Sequence, residues 1–325
     1  MRIPIVLGMG EMLWDRLSNQ PGKSLDQVES WTDYPGGAPA NVVCGVVKLG
    51  TPTGLISCIG QDAAGNGLIE VLQGVGVDQT GVQRHLSAPT RVVYVTRDPQ
   101  GNPTFAGFGN NPPDGFADAQ LQATRLPMKA LQQAEFLVTG TLSLAYPSSR
   151  EAIAQAILSA AQYGTRILID INRRDLFWPQ GQSSIKVIQD LIQFANFLKL
   201  TKAEAQWLFQ TTDPAVIAST SRKLLGVFVT AAEQGCDYWM MGHSGTMVAF
   251  DVAVVDTTGA GDGFTAGILH QLCQQGLSAF STPEAVTSLV RYATAVAALT
   301  VTQPGAIASQ PTASEVEAFL LSQTS

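Results

Sequence analysis

Short apolar runs alternate along this chain with stretches of helical periodicity, and that rhythm constrains the fold more than any other feature. Ile3–Leu7 and Thr53–Ile59 read as buried strands. Between them Ala40, Val43, Cys44 and Val47 recur at helical spacing, and Leu68, Val71, Leu72 and Val75 do so after the second run. Strand, helix, strand, helix in this order implies a parallel sheet joined by crossover helices. The rhythm resumes with strand Phe136–Val138, helix Ser149–Tyr163 and strands Ile167–Asp170, Phe197–Leu200 and Val227–Thr230. Helices Tyr292–Thr300 and Val316–Leu321 follow. In the middle, Arg91–Thr96 and Thr104–Phe108 read as a hairpin around Asp98-Pro99-Gln100-Gly101. Asp15–Tyr34 lacks helical periodicity and reads as strands and turns leaving the main body. No internal repeat or low-complexity linker divides the chain. The expectation is one α/β domain over residues 1–325, a mainly parallel sheet with helices on both faces. A small β lid is expected from about residues 15–34 and 90–110.

Composition removes several functions. Of 325 residues, 45% are hydrophobic and 14% charged, so the chain can bury a large core and is not disordered. The net charge of −7 and the dispersed Lys and Arg exclude a duplex nucleic-acid partner, which needs clustered cations. No apolar run reaches the roughly 20 residues of a membrane span. Met1-Arg2-Ile3-Pro4 shows no signal-peptide architecture, and Cys44, Cys58, Cys236 and Cys273 form no CxxC pair. They read as buried thiols of a reducing compartment, so a cytoplasmic location is expected. His85, His243 and His270 are too scattered for a metal cluster, and His270 is expected on a helix face without a role.

Two nucleotide motifs fail on inspection. Gly8-Met9-Gly10 lacks the third glycine of a dinucleotide fingerprint, because position 13 is Leu. Gly22-Lys23-Ser24 lacks the first glycine of a phosphate loop, because position 17 is Leu. The informative stretch is Val255–Leu269. Apolar residues that read as a strand end lead into Asp256-Thr257-Thr258-Gly259-Ala260-Gly261-Asp262, and Phe264, Ile268, Leu272 and Gln275 then follow at helical spacing. Small residues ahead of a helix leave its first N–H groups, and the positive end of its dipole, open to an anion. Asp262 in the first turn has two readings: a cap on those N–H groups, or a base beside the bound anion.

A second stretch, Gly36-Gly37-Ala38-Pro39-Ala40-Asn41, places a glycine pair ahead of a helix. The pair permits close approach of backbone to a ligand, and Asn41 offers a donor and an acceptor. Asp256–Gly267 (DTTGAGDGFTAG) resembles the C-terminal signature of the PfkB-type, ribokinase-like carbohydrate kinases, and Gly36–Asn41 resembles their N-terminal GG-x-x-A-N signature. The resemblance covers nearly the whole chain. Asp170-Ile171-Asn172-Arg173-Arg174 with Phe177-Trp178 is most similar to the fructokinase branch.

The resemblance implies roles for particular residues. Asp262 would be the catalytic base, with the amides of Gly259, Ala260 and Gly261 as an anion hole. Asp15, Gly36, Gly37, Asn41 and Arg174 would bind the sugar. Glu204, Thr230, Gly235 and Thr294 would lie on the nucleotide and Mg²⁺ side. Asp256, Thr258, Thr300, Gln303, Gly305 and Ser309 stand where many relatives hold K⁺. Thr201 replaces the asparagine of the family's N-x-x-E motif, and Ala232 replaces the first glycine of T-x-G-x-x-G. Asn110 stands where many relatives carry arginine, which disfavours a sugar acid. The implied activity is ATP-dependent phosphorylation of D-fructose at its 6-hydroxyl, with ATP, Mg²⁺ and a small-molecule sugar as partners and a homodimer left open. Two alternatives remain: a family kinase for ribose, 2-keto-3-deoxygluconate or adenosine, and a catalytically silent fructokinase-like binding or regulatory subunit.

Overall fold

The computed structural model describes residues 4–99, 103–178 and 184–323. Along the chain, β1 (Val6–Met9), β2 (Leu13–Ser18) and β3 (Trp31–Gly36) precede α1 (Ala38–Lys48) and β4 (Thr53–Gly60). Then come α2 (Ala63–Val75), β5 (Asp78–His85), β6 (Val92–Arg97), β7 (Pro103–Gly107), α3 (Met128–Gln133) and β8 (Phe136–Thr139). The second half holds α4 (Pro147–Tyr163), β9 (Arg166–Asp170), α5 (Ser184–Ile192), β10 (Phe197–Thr201), α6 (Lys202–Phe209) and α7 (Pro214–Ser219). It closes with β11 (Gly226–Thr230), β12 (Cys236–Met240), β13 (His243–Met247), α8 (Ala260–Gln275), α9 (Pro283–Thr300) and α10 (Ala313–Ser322).

Nine strands form the main sheet in the order β13-β12-β11-β10-β9-β8-β1-β4-β5. All pairings are parallel except the β11-β12-β13 edge, which is antiparallel. Successive residues of a strand point to opposite faces, so two apolar faces build two cores. Leu7, Met9, Leu137, Ile169, Leu198 and Val229 pack with α4, α5 and α7 on one face. Val6, Phe136, Val138, Leu168, Phe197 and Phe228 pack with α1, α8 and α9 on the other. The expected α/β architecture with helices on both faces is therefore observed.

The second sheet, β3-β2-β6-β7, is the small β unit expected from the two polar segments. Trp14 at its base donates from Nε1 to the Ala64 carbonyl of α2 at 2.9 Å. Arg91, just ahead of β6, is fully buried and makes a bidentate pair with Asp118 at 2.7 and 2.8 Å. Its guanidinium lies against the rings of Phe116, Phe108, Tyr146 and Phe177. A buried pair of this geometry fixes the root of the sheet, because removing either partner would leave a charge stranded.

Some expected boundaries move. Of the first strand expected over Ile3–Leu7, residue 3 lies outside the described residues, and the strand observed is Val6–Met9, ending two residues later. The turn expected at 98–101 lies partly outside the described residues. The strand expected ahead of Asp256 does not form: Val254 and Val255 are 60% and 62% exposed, in a loop that leads directly into α8. Two adjacent valines do not make a strand without a neighbouring strand to pair with. The β12–β13 hairpin was not expected from sequence.

Candidate active site

The parallel strands end at Met9, Gly60, Thr139, Asp170, Thr201 and Thr230, and the residues singled out by motif gather beyond those ends. Gly259 is the N-cap of α8 in a left-handed conformation, φ 81°, and makes no side-chain cap. A Cβ there would lie 2.7 Å from the Ala306 Cβ and 2.8 Å from its Cα, so only glycine fits. The Ala260 N–H turns back to the Thr257 carbonyl at 3.3 Å, while the first helical bond runs from Gly263 N to the Gly259 carbonyl. Among the described residues, the Gly259 and Gly261 amides find no protein acceptor. Of the three amides expected in an anion hole, Ala260 is thus partly committed to the turn.

Asp262 is buried in the first turn of α8, and its Oδ2 accepts a 2.8 Å bond from Asn41 Nδ2. Among the described residues its carboxylate accepts from Asn41 and not from the helix amides, so the capping interpretation loses its support. Burial lifts the Asp262 carboxyl above its ordinary range, while the Asn41 bond, Lys199 and Arg174 pull it back. Asn41 belongs to α1, whose N-cap Gly37 has φ 103° and whose second residue is Pro39. A Cβ on Gly37 would meet the Glu11 carbonyl at 2.5 Å, and one on Gly36 would overlap the Asp15 carboxylate. The glycine pair therefore allows Asp15, on β2, to sit against the start of α1. Burial raises the Asp15 carboxyl to about 6, with Arg174 opposing and Asp262 and Asp256 reinforcing. Arg174 is exposed just beyond β9, near enough to act on both Asp15 and Asp262.

The other expected residues are placed less uniformly. Glu204 forms a capping box with Thr201, the N-cap of α6, and its second oxygen accepts from Arg173 N at 2.7 Å. Threonine in place of asparagine keeps a capping side chain at this position. Thr230 ends β11. Gly235 has φ 94°, and a Cβ would overlap the Met247 carbonyl. Ala232 also has a positive φ, 47°, where the family pattern has glycine, a conformation that strains an L-residue by roughly 1 kcal/mol. Thr294 is buried and its hydroxyl donates to the Val290 carbonyl of its own helix at 2.8 Å. The Asp256 carboxylate accepts from Thr258 N at 2.9 Å and Gly305 N at 3.0 Å, joining the two loops of the cation set. Thr300 and Ser309 donate to the Val296 and Gly305 carbonyls, and Gln303 is exposed. The surface pair joins Arg173 and Asp175, whereas Asp170 is buried against Lys199.

Two buried charges beside this site, Lys199 and Glu11, escaped sequence reasoning. Lys199 lies within β10 and contacts both Asp170 oxygens at 3.1 and 3.2 Å. Glu11, two residues past β1, is 2% exposed; its Oε1 accepts from Ala38 N at 3.1 Å and its Oε2 from Ser143 Oγ at 3.4 Å. Glu11 thus holds the N-terminus of α1. Burial raises its carboxyl to about 7, with Asp118 and Asp262 adding to the rise and bonds from its own amide and Ala38 opposing it. A carboxyl raised on folding stabilises the protein below its unfolded value near 4.5 and loses that contribution as pH climbs through about 7. Glu11→Gln keeps the acceptor for Ala38 without the ionisation. The variant is expected to match wild type near pH 4.5 and to exceed it at pH 8 by about 3 kcal/mol in urea unfolding. A difference that does not change between the two pH values would refute the assignment.

Residues 6–313 match the model of the pfkB family carbohydrate kinases. Fructokinase-1 of Zea mays is 32% identical over 315 residues, covering 96% of each chain, and Fructokinase-1 of Oryza sativa is 31% identical over 97% of each. Among solved structures, the fructokinase of Xylella fastidiosa with bound ATP superposes with a TM-score of 0.87 at 27% identity, covering 98% of this chain and 99% of that one. The fructokinase of Vibrio cholerae with fructose, ADP and calcium bound gives 0.84 at 25% identity, with 98% and 99% covered. With the glycine-capped helix, its buried aspartate and the small second sheet in place, the chain belongs to the pfkB family of carbohydrate kinases.

Proposed function

We propose that this ATP-dependent sugar kinase transfers the γ-phosphoryl group of ATP to the 6-hydroxyl of D-fructose. The observation that carries the reading is the Asn41–Asp262 bond, which ties the sugar-side helix α1 to the phosphate-side helix α8 at one point. Asp15, the Gly36-Gly37 backbone and Asn41 offer donors and acceptors to a neutral polyol, and no cation stands at Asn110 to prefer an acid sugar. Asp262 takes the proton of the attacking hydroxyl. The open amides at the start of α8 face the charge that builds on the transferring group. The four-stranded sheet would cover the sugar and exclude water, which otherwise competes as nucleophile.

The residues present fit nucleotide and metal in a particular way. Among the described residues no three His, Cys, Asp or Glu side chains form a metal cluster, so Mg²⁺ would be held chiefly by the phosphates, with Glu204 nearby acting through water. Bound there, the ion would neutralise phosphate charge. Thr230 and Gly235 would border the nucleotide, with the helix bearing Thr294 behind it. Carbonyl oxygens of the two loops that Asp256 joins would suit a weakly hydrated K⁺ ion. No helix among the described residues is long and apolar enough to cross a membrane.

The decisive experiment is a panel of D-fructose, ribose, tagatose, glucose, 2-keto-3-deoxygluconate and adenosine with Mg²⁺-ATP. The highest kcat/KM is expected for fructose, with phosphorus NMR placing the product phosphate on O6 and more activity in K⁺ than in tetramethylammonium. Sugars that leave buried polar groups unpaired should be rejected by up to roughly 10⁴-fold. Preference for ribose or adenosine would overturn the substrate. ATP binding without any sugar-dependent ADP release would point to a binding subunit, and equal rates in the two salts would remove the K⁺ site.

A further inference from the structure

Lys199 is a lone charge inside the apolar run of β10, and it is 6% exposed. A buried ammonium is costly unless paired, and both Asp170 oxygens supply the pair. The pair is not placed at random within the sheet. A Cβ built on Gly261 would lie 2.6 Å from Lys199 Nζ, so the ammonium rests against the first turn of α8, in the space that the glycine leaves. Gly261 is therefore small for two reasons: its amide is open on one side, and a cation occupies the other.

We propose that Lys199, anchored by Asp170, is a positioning residue that puts a fixed positive charge beneath the first turn of α8 and keeps Asp262 ionised for proton abstraction. The proposal rests on the kinase reading above for its catalytic consequence, but not for its electrostatics. Asp262 is surrounded by several groups. Asn41 of α1, Lys199 of β10 and Arg174 beyond β9 favour its charged form. Asp15 of β2, Asp170 of β9 and Glu11 beyond β1 are carboxyls that it repels. Lys199 is in turn held charged by Asp170, Asp262 and Glu204 against the cost of burial. Of the two cations acting on Asp262, Arg174 is exposed and screened by water, whereas Lys199 is buried, so its field reaches Asp262 at lower dielectric.

The two members of the pair make opposite predictions. Lys199→Met removes the cation, and the acid limb of the kcat/KM profile should move up by about one pH unit. Asp170→Asn removes a neighbouring negative charge while Asp262 and Glu204 still favour the charged ammonium and the Asn oxygen can accept from it, so the limb should move down. A purely structural pair would lower stability in both variants and leave the limb in place. If Lys199→Met does not fold, Asp170→Asn decides alone. Carbon-13 NMR titration of the Asp262 carboxyl in ligand-free wild type and variants reads the same shifts without turnover. Movement in these opposite senses supports the proposal; no movement, or movement in one sense for both, overturns it. Wild-type protein that phosphorylates no sugar, while Asp262 still shifts as stated, would fault the kinase reading and leave the electrostatic role standing.

Discussion

Asp262→Asn is expected to lower kcat by about 10²–10⁴-fold while leaving ATP affinity nearly unchanged. The substitution is nearly isosteric, and its side-chain oxygen can still accept the bond that Asn41 Nδ2 gives at 2.8 Å. The variant also replaces a carboxylate disfavoured by burial with a neutral amide, so folding should not suffer. What it loses is the ability to take a proton. Steady-state phosphorylation and calorimetric ATP titration of both proteins separate the two effects. Turnover within a few-fold of wild type would move the base elsewhere. The wild-type rate should fall as pH drops through the Asp262 titration, which burial places above the usual carboxylate range.

The parallel sheet was legible because its strands carry apolar residues on both faces and glycine or helical spacing between them. Asn41 and Asp262 were legible for a different reason. Each follows closely on glycines that open the start of a helix, and that requirement leaves a mark in sequence, whereas Asp15 was read from the family resemblance alone. The β12–β13 hairpin left no such mark: Cys236–Met240 alternates inward Tyr238 with half-exposed Asp237 and Trp239, and its partner strand is mostly small and polar. Val254-Val255 misled in the opposite sense, since apolar identity alone does not supply a pairing partner. Lys199 and Glu11 were missed because each is a single charge with no motif around it. The signal was present all the same. A lysine within Phe197-Leu198-Lys199-Leu200 must be paired if the run is a buried strand, and the partner had to come from a neighbouring strand. Glu204 is the reverse case: the family role was read from its position, while both of its oxygens are engaged by the backbone of Thr201 and Arg173.

Gly259→Ala should cost about 10²–10³-fold in kcat, with little change in the KM for sugar. Two physical penalties meet at this residue. Its φ of 81° strains any side chain, by about 1–2 kcal/mol. Its missing Cβ also faces the Ala306 backbone at 2.8 Å, which cannot swing aside as a side chain could. The chain must relieve the overlap by turning the start of α8, and that re-aims the open amides of Gly259 and Gly261. Oxyanion-type donors act only where they point, so a small rotation removes most of their effect. The sugar contacts proposed for Asp15, Gly36 and Asn41 come from other elements and should be spared. Gly76→Ala supplies the control. That residue has φ 95° at the end of α2, but a Cβ there meets nothing within 4 Å. It should lose stability by a similar strain and keep its kcat. If both variants lose stability and neither loses turnover, the start of α8 is not where phosphoryl charge is stabilised.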